Sequence, residues 1–157
     1  MRDREAERQG CREAKMQRSR EEAEKQRGRE VTKFEKKPIK TYRDLNVYQQ
    51  SFHLALEIYQ ITTTFPEEER YSLVDQMRRA SRSIPANLAE GWAKRRHEKI
   101  FKRHLVDCLG SCEEMKIWLE FGMKFNYIEE DKYTKLTGKY AEIGAMLSSL
   151  AQKWQIF

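Results

Sequence analysis

Apolar positions fall into four helical stripes between Tyr42 and Trp154, and few precede them. In the first segment Leu45, Tyr48, Phe52, Ala55, Tyr59 and Thr62 recur at alternating spacings of three and four, the period of one helix face. A second stripe, Val47, Leu54, Ile58, Ile61 and Phe65, runs beside it. A bundle core needs one stripe, so the surplus predicts a second packing surface such as a subunit interface. Asp44 stands just ahead as an N-cap. Phe65-Pro66 ends the helix, because proline disfavours helical geometry in the residue before it.

Glu67, Glu68 and Glu69 then place negative charge near the positive start of the next helix. Leu73, Met77, Ala80, Ile84 and Leu88 give that helix its inward face. Pro85 removes one backbone hydrogen bond there and predicts a kink, and Gly91 predicts a terminator. The third segment carries Phe101, Leu105, Cys108, Cys112, Met115, Leu119 and Gly122, and the fourth Tyr133, Leu136, Tyr140, Ile143, Leu147, Leu150 and Trp154. Glu129, Glu130 and Asp131 make an acidic start for the fourth. Both stripes have the three-plus-four period of bundle seams, and the connections are short. The expected fold is all-α: an antiparallel, up-down-up-down four-helix bundle.

Composition adds a boundary. Residues 1–37 hold 13 basic and 9 acidic side chains, and their only large apolar residues are Met1, Met16, Val31 and Phe34. That is too little to offset roughly 1–2 kcal/mol of ordering cost per residue. The chain therefore divides into a charged extension, residues 1–39, partly disordered or helical, with Pro38 at its boundary, and a bundle over 40–157. No apolar run reaches the ~18 residues of a membrane span, and no secretory signal pattern follows Met1. The odd set Cys11, Cys108 and Cys112 reads as reduced thiols, so the expected location is the cytoplasm.

Charge within the bundle is polarised. Between residues 78 and 103 lie Arg78, Arg79, Arg82, Lys94, Arg95, Arg96, Lys99, Lys102 and Arg103, against only Glu90 and Glu98. Residues 113–131 hold six acidic side chains against Lys116 and Lys124. The nine basic residues are the candidate nucleic-acid contacts, with the Lys94-Arg95-Arg96 turn at their centre. No base-reading module accompanies them, so phosphates and shape would drive any binding.

Other chemistry is weak. His104, Cys108 and Cys112 share a helix face, but the outer two are about 12 Å apart along the axis, too far to share one ion. Cys108 and Cys112 belong to the inward stripe and read as small core residues, with no metal and no cofactor. Trp92 and Trp118 fall outside the strict seams and read as interface anchors. Asn87 reads as structural, its side-chain amide satisfying a carbonyl that Pro85 leaves unpaired. No glycine-rich phosphate loop, Ser-His-Asp order or Glu-x-x-His pair occurs, so the chain reads as a non-enzyme.

Several motifs carry a resemblance beyond periodicity. They are Tyr42-Arg43-Asp44-Leu45-Asn46-Val47-Tyr48, Phe65-Pro66-Glu67-Glu68-Glu69, Gln76-Met77-Arg78-Arg79-Ala80 and Ser83-Ile84-Pro85-Ala86-Asn87-Leu88-Ala89-Glu90-Gly91, followed by Gly110-Ser111-Cys112-Glu113-Glu114-Met115. Over residues 40–155 the chain resembles the four-helix-bundle proteins encoded within intervening sequences of bacterial 23S ribosomal RNA genes. Their fold is shared with the accessory variability determinant of diversity-generating retroelements. The residues matching the motifs, Asp44, Ser83, Pro85, Asn87, Glu90, Gly91, Gly110, Ser111 and Glu114, are expected to be structural. Ile100 ahead of Phe101 and the basic turn at Lys94-Arg95-Arg96 depart from the pattern. The resemblance implies a ring-like homo-oligomer, commonly a pentamer, without catalysis. Three readings follow: a bundle bound to RNA or other nucleic acid, a protein-binding scaffold such as an accessory subunit of a reverse transcriptase, and a genetic passenger with no cellular task.

Overall fold

The computed structural model describes residues 38–154, so the extension expected over residues 1–39 lies almost wholly outside them. Four helices follow in order: α1 (Asn46–Ile61), α2 (Leu73–Ala93), α3 (Glu98–Lys124) and α4 (Glu130–Lys153). No strand occurs among the described residues. Each helix packs against its neighbours in sequence, and α1 closes the bundle against α4. The pairings run antiparallel. The Cys108 thiol meets the Ile84 carbonyl at 3.4 Å and Ser111 Oγ meets Ser83 Oγ at 2.9 Å, so α3 climbs as α2 descends. Between α1 and α4, Glu57 binds Lys132 Nζ at 2.7 Å and Lys139 Nζ at 2.6 Å. Burial raises the Glu57 pKa, but the two lysines outweigh it and hold the carboxyl below its ordinary value.

The core is the one the periodicity of α2, α3 and α4 specifies: Met77, Ile84, Leu88, Phe101, Leu105, Cys108, Cys112, Met115, Leu119, Leu136, Ile143 and Leu147 are all fully buried. Burial pushes both core thiols up to about 12, which leaves Cys108 and Cys112 as inert small hydrophobes. The Tyr140 hydroxyl is buried with no hydrogen-bond partner among the described residues.

Several local expectations need correction. On α1 the core takes Val47, Leu54 and Ile58 of the second stripe together with Leu45, Ala55 and Thr62 of the first, while Phe52 and Tyr59 of the first remain exposed. Asp44 does not cap α1, whose N-cap is Leu45. Its carboxylate instead accepts from the Thr41 N–H at 2.8 Å and the Lys40 N–H at 3.0 Å, closing the single 3-10 turn Tyr42–Asp44. Glu67–Glu69 form a separate 3-10 turn, and Glu69 reaches α2 by accepting from the Leu73 N–H at 3.3 Å. Helix α2 runs through Pro85 without interruption. Proline lacks the donor for the Ser81 carbonyl, so one hydrogen bond of the ladder is missing there.

Gly91 is not a terminator either. Its φ is not positive, and a Cβ there would lie 2.8 Å from the Cβ of His104. Its missing side chain lets α2 and α3 approach. The positive φ belongs to Asn126, at 61°. There the Tyr127 N–H reaches the Gly122 carbonyl at 2.9 Å and the Asn126 N–H the Met123 carbonyl at 3.0 Å, a Schellman cap closing α3.

Candidate nucleic-acid interface

Antiparallel topology places the start of α1, the end of α2, the start of α3 and the end of α4 at one end of the bundle. Trp154 ties them together, packing on Phe101 at 4.4 Å and on Trp92 at 5.9 Å between ring centroids. Trp92 is therefore a core residue, correcting its expected place as an interface anchor. At this end stand Lys40, Arg43, Lys94, Arg95, Arg96, Lys99, Lys102, Arg103 and Lys153, against Asp44, Glu90, Glu98 and Asp107. The opposite end carries Glu67, Glu68, Glu69, Glu120, Glu129, Glu130 and Asp131 against Arg70, Lys124 and Lys132.

Many of these cations are locally engaged. Lys94 Nζ lies 2.6 Å from Glu90, Lys102 Nζ 2.6 Å from Glu98, and Arg103 Nε 3.3 Å from Asp107. The hydrogen bond from Lys94, reinforced by its charge, holds the Glu90 carboxyl below its ordinary value. Arg95 donates to the Trp92 carbonyl at 3.0 Å, with its guanidinium 4.6 Å from that ring centroid. Arg96 and Lys99 are exposed and bond to no other described residue. Exposed i,i+4 pairs are worth little, so a phosphate can recruit the paired cations at small cost.

The structure does not bring all nine candidates together. Arg78 stands sixteen residues before Lys94 on α2, about 24 Å along the axis. Its Nε donates to Thr62 Oγ1 at 2.8 Å and its guanidinium lies 4.5 Å from the Tyr59 ring centroid, so it joins α1 to α2. Arg79 and Arg82 are exposed on that same far stretch. Conversely, Lys40, Arg43 and Lys153 join the basic end. Sequence reasoning missed them, although the antiparallel order of four helices was the signal.

A polar seam runs from this end into the α2–α3 interface. The Asn87 amide donates to the Ser83 carbonyl at 3.0 Å and to Ser83 Oγ at 3.1 Å. The carbonyl it satisfies is thus Ser83's, not the Ser81 carbonyl that Pro85 leaves unpaired. Asn87 Oδ1 faces His104 Nδ1 at 3.3 Å, and an amide oxygen only accepts, so Nδ1–H is the donor. His104 Nε2 then lies 3.5 Å from Lys94 Nζ. Ser83, Asn87, Glu90 and Ser111 therefore meet on one seam, while Glu114 accepts from Trp118 Nε1 at 3.1 Å and Gly110 lies exposed. No cluster of three or more potential metal ligands occurs among the described residues.

The model of the 23S rRNA-intervening sequence protein family matches residues 43–149. The chain belongs to this family. The match reaches all four helices and the motifs of the α2–α3 seam, and it leaves out residues 1–42 and 150–157. A crystal structure of a protein of unknown function from the S23 ribosomal protein family of Bacteroides thetaiotaomicron is similar in fold, with a TM-score of 0.62 and 24% identity. The similarity covers 68% of this chain and 96% of that one. No curated protein matches. Within the Ser83–Gly91 string, Ser83 and Asn87 join α2 to α3 through Ser111 and His104. No helix among the described residues is long and apolar enough to cross a membrane.

Proposed function

We propose that this family member is a non-enzymatic bundle that binds structured RNA through phosphate contacts at its basic end. One observation carries the reading: nine cations from four separate segments converge on one end, and the side chains of Arg96 and Lys99 there bond to no other described residue. Such a surface attracts a polyanion without reading bases, and binding releases counterions. The family's description, which names 23S rRNA, agrees with an RNA partner. In the same reading the protein assembles with copies of itself into a ring, as the resemblance implies, which repeats the basic end around an axis and adds the contacts of each subunit. The buried free thiols Cys108 and Cys112 suit the reducing cytoplasm.

The test is retention of structured RNA at rising salt, for wild type and for Lys94, Arg95 and Arg96 together changed to Ala. Each lost phosphate contact should flatten the slope of log affinity against log salt by ~0.7–0.9. A wild-type slope near zero, or a triple variant with the wild-type slope, overturns the reading.

A further inference from the structure

Helix α3 carries a second apolar stripe that none of the other described residues covers. At 100° per residue, Val106, Gly110, Ile117 and Phe121 fall within an arc of about 60° directly opposite Cys108, Cys112, Met115 and Leu119. Ile117 is 51% exposed, and Val106 and Phe121 are similar. Gly110, in mid-helix, has nothing within 4 Å of where its Cβ would stand. A helical glycine costs roughly 0.5–1 kcal/mol relative to Ala, and no contact among the described residues uses its small size here. Close approach by another backbone would.

A different face of the bundle is concave. Phe52, Leu56 and Tyr59 of α1 and Pro85, Ala86 and Ala89 of α2 line an open apolar groove of about 570 Å³. Arg82 also lines it, and neither Arg82 nor the neighbouring exposed Arg79 bonds to another described residue. The α3 stripe is flanked by exposed Glu113, beside Lys116 at 2.7 Å, and by exposed Glu120. An acid-flanked apolar ridge on α3, with Lys124 at its far end, and a concave, arginine-rimmed groove thus occur on different faces of one chain.

We propose that the α1–α2 groove receives the outward stripe of α3 from a second copy, with Arg79 and Arg82 facing Glu113 and Glu120. Different surfaces meet, so the contact is heterologous and each copy keeps one groove and one ridge free for further copies, which closes into a ring when the rotation allows. The inference rests on the self-association in the function proposed above and assigns its faces.

Light scattering at micromolar protein tests it with Leu56→Arg in the groove, Ile117→Arg on the ridge, and their equimolar mixture. Both sites are exposed, and circular dichroism melting checks that each variant stays folded. The expected result is a multi-chain wild type, single-chain mass for each variant alone, and a two-chain particle in the mixture, where one intact groove meets one intact ridge. A single-chain wild type removes self-association itself. A multi-chain wild type whose folded variants keep its mass overturns the face assignment and leaves self-association standing. A mixture that stays single-chain overturns the heterologous pairing.

Discussion

A Cβ on Gly91 of α2 would stand 2.8 Å from the Cβ of His104 on α3, closer than two such atoms ever rest. That contact, with Phe101 Cδ2 only 3.1 Å away, fixes how near the two longest-packed helices lie. Neither neighbour is the free end of a flexible chain, so the helices themselves must move to accept a methyl group. Gly91→Ala should therefore cost about 1–3 kcal/mol of stability, although Ala is the better helix former. Gly110→Ala is the matched control, because space there is open. It should stabilise the isolated chain by roughly 0.5–1 kcal/mol. Urea unfolding of the two variants gives both signs in one experiment.

Asn87 links three groups at once: the Ser83 carbonyl, Ser83 Oγ and the His104 ring. Removing its amide leaves a half-buried imidazole nitrogen without its acceptor. Asn87→Ala should lower stability by about 1–3 kcal/mol. The salt dependence of RNA retention should stay at wild type, because the residue sits in the seam and not among the free cations. A melting temperature unchanged alongside lost RNA binding would reverse that assignment.

Glu57 ties α1 to α4 through Lys132 and Lys139, and its carboxyl is held below its ordinary value in the folded chain. A carboxylate with a depressed folded pKa stabilises above its unfolded pKa and loses that contribution as pH falls through the folded value. The Glu57 contribution should be complete at neutral pH and disappear on acidification below about 4.3, the usual Glu range. The lysines are partly exposed and solvent screens the pair, so Glu57→Gln should cost only about 0.5–1 kcal/mol at pH 7. The deficit should vanish at acid pH, which chemical denaturation across a pH series would show.

The Tyr140 hydroxyl is buried and unpartnered among the described residues, and burial raises its pKa. Removing a buried polar atom that makes no bond leaves the packing and deletes the desolvation cost. Tyr140→Phe should leave stability equal or raise it by about 1 kcal/mol. A loss of more than that in thermal unfolding would mean the hydroxyl has a partner in solution.

Cys108 and Cys112 are fully buried, with both thiols pushed up to about 12. The thiolate is the reactive form, so neither should be alkylated in the native protein at neutral pH. Peptide mapping after labelling with and without urea checks this, and labelling of either site without urea would contradict the packing.

Helix count, helix order and the buried faces of α2, α3 and α4 were set by the sequence alone, because a three-plus-four spacing admits one inward direction wherever one apolar stripe clearly outruns any other, as the seven positions from Phe101 to Gly122 outrun the outward stripe of α3. Helix α1 has two, and periodicity is equally satisfied by either. Only packing against α2 and α4 decided that Val47, Leu54 and Ile58 go inside and that Phe52, Leu56 and Tyr59 line a groove. Gly91 reads as a helix stop within its own helix, and the reason for its small size appears only when His104 arrives from another. Charge follows the same division. The run from Lys94 to Arg96 is visible in the sequence, but Lys40, Arg43 and Lys153 reach the same end through the antiparallel fold, which also moves Arg78 about 24 Å away from it. Local spacing fixes what each helix presents, and contacts between residues far apart in the chain decide what it presents it to.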